Sequence, residues 1–145
     1  MVDDVLLNKA AIIERCLSRI REEYLGHESA LETDNTRQDS IVLNLQRACE
    51  ASIDLAMHVA RKERLGLPQD AREAFTLLEK ANIITSTSAT RMRAMVGFRN
   101  IAVHQYQSLS MPILRSILQD RLDDFTNFAS CLINPASRSG TQRDE

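Results

Sequence analysis

The segment Gly97-Phe98-Arg99-Asn100-Ile101-Ala102-Val103-His104-Gln105-Tyr106 sets a guanidinium, a carboxamide, an imidazole and a phenol into ten residues of an otherwise apolar stretch. Arg99 falls on the same helical stripe as Met92 and Val96, which turns a cation toward the interior or an interface, and Tyr106, seven residues on, falls on that stripe too. An unpaired buried charge is very costly. Arg99 therefore calls for a carboxylate from another helix or for a polar cleft that admits an anion. Asn100 and His104, at i and i+4, share a face, so the carboxamide either orients the imidazole or touches a ligand itself. Arg99 and His104 are five residues apart, and on a regular helix they diverge by about 140° and rise about 7.5 Å. Both can serve one small ligand only if the helix breaks between them or a second copy of the chain completes the site, as twofold symmetry allows.

An Arg and a His in a wet cleft, with no metal set beside them, suit one reaction class. In RNA cleavage by internal transesterification the ribose 2′-hydroxyl attacks the adjacent phosphodiester. A His near neutral pKa moves the proton, a contribution of about 10²–10⁴-fold, while the guanidinium holds the non-bridging oxygens as charge builds on them. No cofactor is needed, and DNA, lacking the 2′-hydroxyl, is not a substrate.

The remaining polar residues have plainer explanations. His27 sits in a loop, and His58 lies on a long helix with no repeated metal-ligand spacing. Arg61-Lys62-Glu63-Arg64 reads as a solvated helix end whose cations suit the dipole. Glu50 and Asp54 share a face as surface carboxylates, with a supporting role open to them. Cys16, Cys49 and Cys131 lie on apolar faces as inert thiols. There is no glycine-rich phosphate loop, no GxSxG and no HExxH.

The elements that must carry the segment are helical. The chain has 145 residues, 43% hydrophobic and 26% charged, with four Gly and three Pro, which fits one globular domain and is too poor in turn residues for an all-β sandwich. Apolar periodicity predicts a helix over 3–25 (Leu6, Ile13, Cys16, Leu17, Ile20, Tyr24) and a polar connection over 27–37. A second helix is expected from Asp39 to Leu65, with Val42, Leu45, Cys49, Ile53, Ala56 and Val59 inward, stopped by Gly66 and Pro68. Asp70 and Glu73 resemble a capping box ahead of a short third helix with Phe75, Leu78 and Ala81 inward. A fourth begins near Thr87, marked by Met92, Val96 and Val103. A fifth starts at Ser110-Met111-Pro112, with Ile113, Ile117, Phe125 and Leu132 inward. Together they predict an all-α, mostly antiparallel bundle of about five helices over 1–133, followed by a polar, disordered tail over 134–145. No apolar run is long enough to span a membrane. MVDDVLLNKA lacks the pattern of a secretory signal, and an odd number of Cys with no CxxC points to a reducing, cytoplasmic setting. Net charge is −2, so no global basic field announces a nucleic-acid partner, but 15 of the 18 cations are Arg, the side chain best shaped for phosphate.

At Arg99, Asn100, His104 and Tyr106 the sequence resembles the HEPN domains, and in particular the HepT toxins whose antitoxin partner is a minimal nucleotidyltransferase of the MntA type. Met95-Val96-Gly97-Phe98 and the stretch from Asn44-Leu45-Gln46-Arg47-Ala48 to Asp54 look typical of that family, and the similarity spans about residues 5–130. The resemblance implies a homodimeric, metal-independent endoribonuclease acting on mRNA or tRNA from a cleft between two protomers. It implies Arg99 and His104 as the catalytic pair, Asn100 as a supporting polar residue, and Tyr106 as the residue to which the antitoxin transfers AMP from ATP. Two other functions compete: a non-catalytic helper or binding subunit for a nucleotidyltransferase, and a structural bundle in which Arg99 is an internal ion pair.

Overall fold

The computed structural model describes residues 3–134, and within that span every regular element is helical. The polar tail expected beyond Asn134 falls on 135–145, outside the described residues. Six α-helices follow one another: α1 (Asp4–Tyr24), α2 (Asn35–Lys62), α3 (Ala71–Lys80), α4 (Ser86–His104), α5 (Met111–Asp120) and α6 (Leu122–Ile133). One-turn 3-10 helices at Glu28–Ala30 and Tyr106–Ser108 fill two of the connections.

Most helix starts are held by a side-chain cap that satisfies backbone N–H groups left over in a first turn. Asp3 caps α1, Asp34 caps α2, Asp70 caps α3, Thr85 caps α4 and Ser110 caps α5. At α3 a variant of the expected box forms, with Asp70 accepting from the Glu73 amide at 2.8 Å while the Glu73 carboxylate accepts from the amide of Gln69, one residue before the cap, rather than from that of Asp70. Gly26, at φ 81°, turns the chain sharply after α1 where a side chain would be strained.

α1 lies antiparallel along α2, tied at one end by Asp3 to His58 and Lys62 and at the other by Arg37 to Glu23. α3 runs antiparallel to α4, with Glu79 and Thr76 both taking hydrogen bonds from Arg93. One continuous apolar core joins all six helices. Its bulkiest members are Phe75, Phe125 and Phe128, and the rings of Phe75 and Phe128 meet edge to face at 5.3 Å.

The structure corrects the expected pattern in four places. α2 starts at Asn35 rather than Asp39, because Asp34 caps it within the supposed loop. The single fifth helix is two: Arg121, at φ −123° and ψ 0°, interrupts the run without any Gly or Pro to announce it, and Asp123 and Asp124 then occupy the first turn of α6, where carboxylates favour the dipole. Ala81 caps the C-terminus of α3 instead of facing inward, and Ala74 fills that position. Val103 and Ile113 are exposed. Val103 lies on a side of the last turn of α4 that no neighbour covers, and α5 turns Leu114, Ile117 and Leu118 to the core, one residue round from Ile113.

Candidate active site

α4 carries the chemistry-bearing residues, and it is unbroken through Arg99, Asn100 and His104. The amide of Gln105 still donates to Ile101 at 2.8 Å, and only there does the backbone leave helical geometry. Of the two ways of bringing Arg99 and His104 to one ligand, a break between them is therefore excluded. On a continuous helix the two side chains keep their divergence of about 140° and their separation along the axis of about 7.5 Å.

Arg99 is half-buried against α2. Its Nε donates to Asn100 Oδ1 at 3.0 Å, and its Nη1 lies 3.9 Å from Glu50 Oε2. Asn100 thus orients the guanidinium, a role neither of the two expected for it. Of the two readings open to Glu50 the structure favours the supporting one: it faces Arg99, and Gln46 one turn earlier donates to the same carboxylate at 3.5 Å. With the Glu50 side chain 44% exposed and the contact at the limit of an ion pair, the guanidinium is steadied but not fully neutralised. Asp54 points elsewhere, pairing with Lys9 at 3.0 Å.

His104 stands in the last turn of α4, where a cation is favoured by the dipole, and it is exposed. It makes no hydrogen bond or ion pair to another described residue. Tyr106 is not on the α4 stripe as expected, because the helix ends at His104; it opens the following 3-10 turn. Its hydroxyl donates to Asp39 Oδ1 on α2 at 2.6 Å. Partial burial and then the Asp39 carboxylate push the Tyr106 hydroxyl up to about 12. Asp39 carried no signal in the sequence, since only the fold brings α2 to this turn.

Cys49 lies beneath Arg99, and burial pushes its thiol up to about 12 even with that guanidinium near. It is a core thiol. Burial raises Cys16 as well, and Cys131 is buried. His58 is engaged with Asp3. Among the described residues no group of three or more His, Cys, Asp or Glu side chains is placed to hold a metal ion, and no helix is long and apolar enough to cross a membrane.

Beside the site an open groove of about 550 Å³ runs between α4 and α5, lined by Phe98, Ile101, Leu109, Ile113 and Ile117, with the Arg91–Asp124 ion pair in its wall. Ile101 and Ile113 expose their side chains in it, while Val103, exposed as well, lies about 200° round α4 from Ile101.

Comparison with known proteins agrees with this architecture. A family model described as ribonuclease HepT-like matches residues 13–132. The chain is 47% identical over 127 residues to mRNA nuclease HepT of Shewanella oneidensis, covering 88% of this chain and 95% of that protein. Among solved structures, a tri-AMPylated Shewanella oneidensis HEPN toxin in complex with MNT antitoxin superposes with a TM-score of 0.86 at 46% identity, over 90% of this chain and 98% of that one. A toxin–antitoxin crystal structure with AMP-PNP gives the same TM-score at 45% identity, over 90% and 99% of the two chains. A six-helix frame, an Arg and a His displayed on one helix and a family match across nearly all the described residues place the chain in the HepT-like ribonuclease family.

Proposed function

We propose that this chain is the toxin of a HEPN/MNT toxin–antitoxin pair: a metal-independent endoribonuclease, homodimeric, silenced when its nucleotidyltransferase antitoxin transfers AMP to Tyr106. The observation that carries the catalytic part is the continuity of α4. It holds Arg99 and His104 on different faces, each accessible, so that neither alone completes a site and a twofold-related copy supplies what is missing. The exposed apolar side chains of Ile101 and Ile113 in the groove between α4 and α5 give self-association a surface to bury.

In such a dimer, His104 accepts the proton of the 2′-hydroxyl as that oxygen attacks phosphorus. The bond to the 5′-oxygen breaks, and the departing oxygen takes a proton from His104 of the second copy or from water. The strand is left with a 2′,3′-cyclic phosphate and a 5′-hydroxyl. Arg99, held in place by Asn100 and Glu50, neutralises the non-bridging oxygens as negative charge accumulates. AMP on the Tyr106 oxygen adds phosphate charge and bulk two residues from His104, which repels and blocks an RNA strand without unfolding the protein. The Shewanella relative's description as an mRNA nuclease supports mRNA as the substrate, and its AMPylated complex supports the mode of silencing.

Purified protein incubated with labelled single-stranded RNA in EDTA tests this. Cleavage to cyclic-phosphate ends, with a DNA of the same sequence left intact, is expected. Arg99→Ala and His104→Ala should each lose about 10²-fold or more in rate while keeping the wild-type melting temperature. Tyr106→Phe should cleave normally and escape the antitoxin. Activity that disappears with chelator and returns with a divalent metal overturns the mechanism.

A further inference from the structure

The outer face of α4 carries a glycine at its middle, Gly97, although glycine weakens a helix interior. The space where its Cβ would stand is occupied from outside: the Nη2 atom of Arg72, in the first turn of α3, would lie 3.1 Å from that carbon. Gly97 therefore lets a guanidinium lie close against the α4 backbone. The arginines of α4 itself are spoken for. Arg91 pairs with Asp124 at 3.1 Å, Arg93 with Glu79 at 3.0 Å, and Arg99 faces Glu50. Arg72 has no carboxylate partner among the described residues, and it is exposed.

Its position relative to His104 gives this meaning. Gly97 and His104 are seven residues apart on one continuous helix, so they stand within about 20° of each other around the axis and about 10.5 Å apart along it. Asn100 lies between them. Arg72 and His104 thus mark two points of one exposed track running along α4 on the side where α3 begins.

We propose that Arg72 is a substrate-binding residue, gripping a backbone phosphate that flanks the scissile linkage at His104, and that Gly97 is glycine so that this guanidinium can be seated there. The inference rests on the ribonuclease assignment and adds a contact to it. In a chain of net charge −2 an RNA strand gains little from the overall field, so affinity depends on local cations of this kind. A planar guanidinium can present its fork to two phosphate oxygens at once.

The test uses the full-length protein in two forms. With His104→Ala as a non-cleaving background, binding of a fluorescein-labelled single-stranded RNA is measured by anisotropy across a salt series. Adding Arg72→Ala should weaken binding regardless of sequence and reduce the slope of log affinity against log salt by about 0.7, the value for one phosphate contact on a single strand. Arg72→Lys should restore the slope, since the charge remains. Gly97→Ala should weaken binding less than Arg72→Ala does while leaving the melting temperature equal or higher, because alanine favours the helix but pushes the tip of the guanidinium outward. In the cleaving protein, Arg72→Ala should raise KM several-fold with kcat nearly unchanged, the signature of a contact made equally in ground and transition states. If the wild type cleaves RNA and Arg72→Ala keeps its slope and KM, this inference is wrong and the ribonuclease assignment stands. If the wild type neither binds nor cleaves RNA, the assignment itself fails.

Discussion

Asp39→Asn and Asp39→Ala probe the hydrogen bond that holds Tyr106. The phenol donates to Asp39 Oδ1 at 2.6 Å, across from a 3-10 turn to α2, and that bond fixes the first turn after α4. Hydrogen bonds to charged acceptors contribute about 1.5–3 kcal/mol net. Tyr106 is 37% exposed, so water competes for both partners and the contribution falls to about 1 kcal/mol. In a chain of this size that is about 3 °C in melting temperature. The pH dependence has a definite sign. Burial and then Asp39 raise the folded-state pKa of Tyr106 to about 12, above the ordinary tyrosine value of about 10. The stabilisation is therefore complete below about pH 10 and disappears as pH rises through 12. Asp39→Asn keeps an acceptor and removes the charge, so the Tyr106 titration should move down while staying above the ordinary value, because burial persists. Ultraviolet absorbance of the phenolate reads this directly, and Tyr106→Phe identifies the contribution of Tyr24, the other tyrosine. Asp39→Ala should in addition slow AMP transfer to Tyr106 by an MNT antitoxin, since the nucleophilic oxygen is no longer held in place. A titration and melting temperature identical to wild type in Asp39→Asn would refute the coupling.

Ile113→Glu, at a position 57% exposed on the rim of the apolar groove, should convert a dimer to a monomer in light scattering and abolish RNA cleavage while leaving the circular dichroism spectrum intact; a fully active monomer would refute a composite site. Asp3→Asn should remove an acid-sensitive part of the stability. Lys62 and then His58 hold the Asp3 carboxyl well below the usual carboxylate range, so its stabilisation is present above about pH 4 and is lost as pH falls below that. Melting temperatures of wild type and variant should converge in acid, and a constant difference across pH would contradict this. Phe75→Ala should cost about 3–5 kcal/mol in denaturant unfolding, because the ring is wholly buried and its edge-to-face contact with Phe128 ties α3 to α6.

Helices and their inward faces were legible because a period of 3.6 in apolar residues is a local property, and so were the caps at Asp70 and Ser110. What escaped the sequence was set by tertiary context. Asp34 caps α2 inside what reads as a polar loop, and Arg121 interrupts a run that has no breaker residue. Val103 is in phase with Met92 and Val96, yet it is exposed because nothing packs over its side of the last turn, although α2 runs past that turn to reach Tyr106. Periodicity reports the angle of a side chain about its helix, not whether anything lies opposite. The site divides the same way. Arg99, Asn100, His104 and Tyr106 stand within eight residues and could be found as a motif. Asp39, Glu50 and Arg72 reach the same region from α2 and α3, and nothing in their own surroundings distinguishes them from other surface charges.

The register of α4 ties these observations together. Met92, Val96 and Arg99 continue one line down the helix, so the stripe that packs the core hands over to a guanidinium facing Glu50 of α2. Arg93, Gly97 and His104 continue another, whose first member is locked to α3, whose second admits Arg72 and whose last is open. One regular helix thus carries a steadied guanidinium on the first line and an imidazole, the proton carrier of the proposed mechanism, on the second. Bending α4 to join them within a single copy would break backbone hydrogen bonds and unseat Met95 and Phe98 from the core. Bringing two copies together leaves the helix intact and lets its exposed apolar residues be buried, and on those energetics dimerisation is the less costly way to assemble the site.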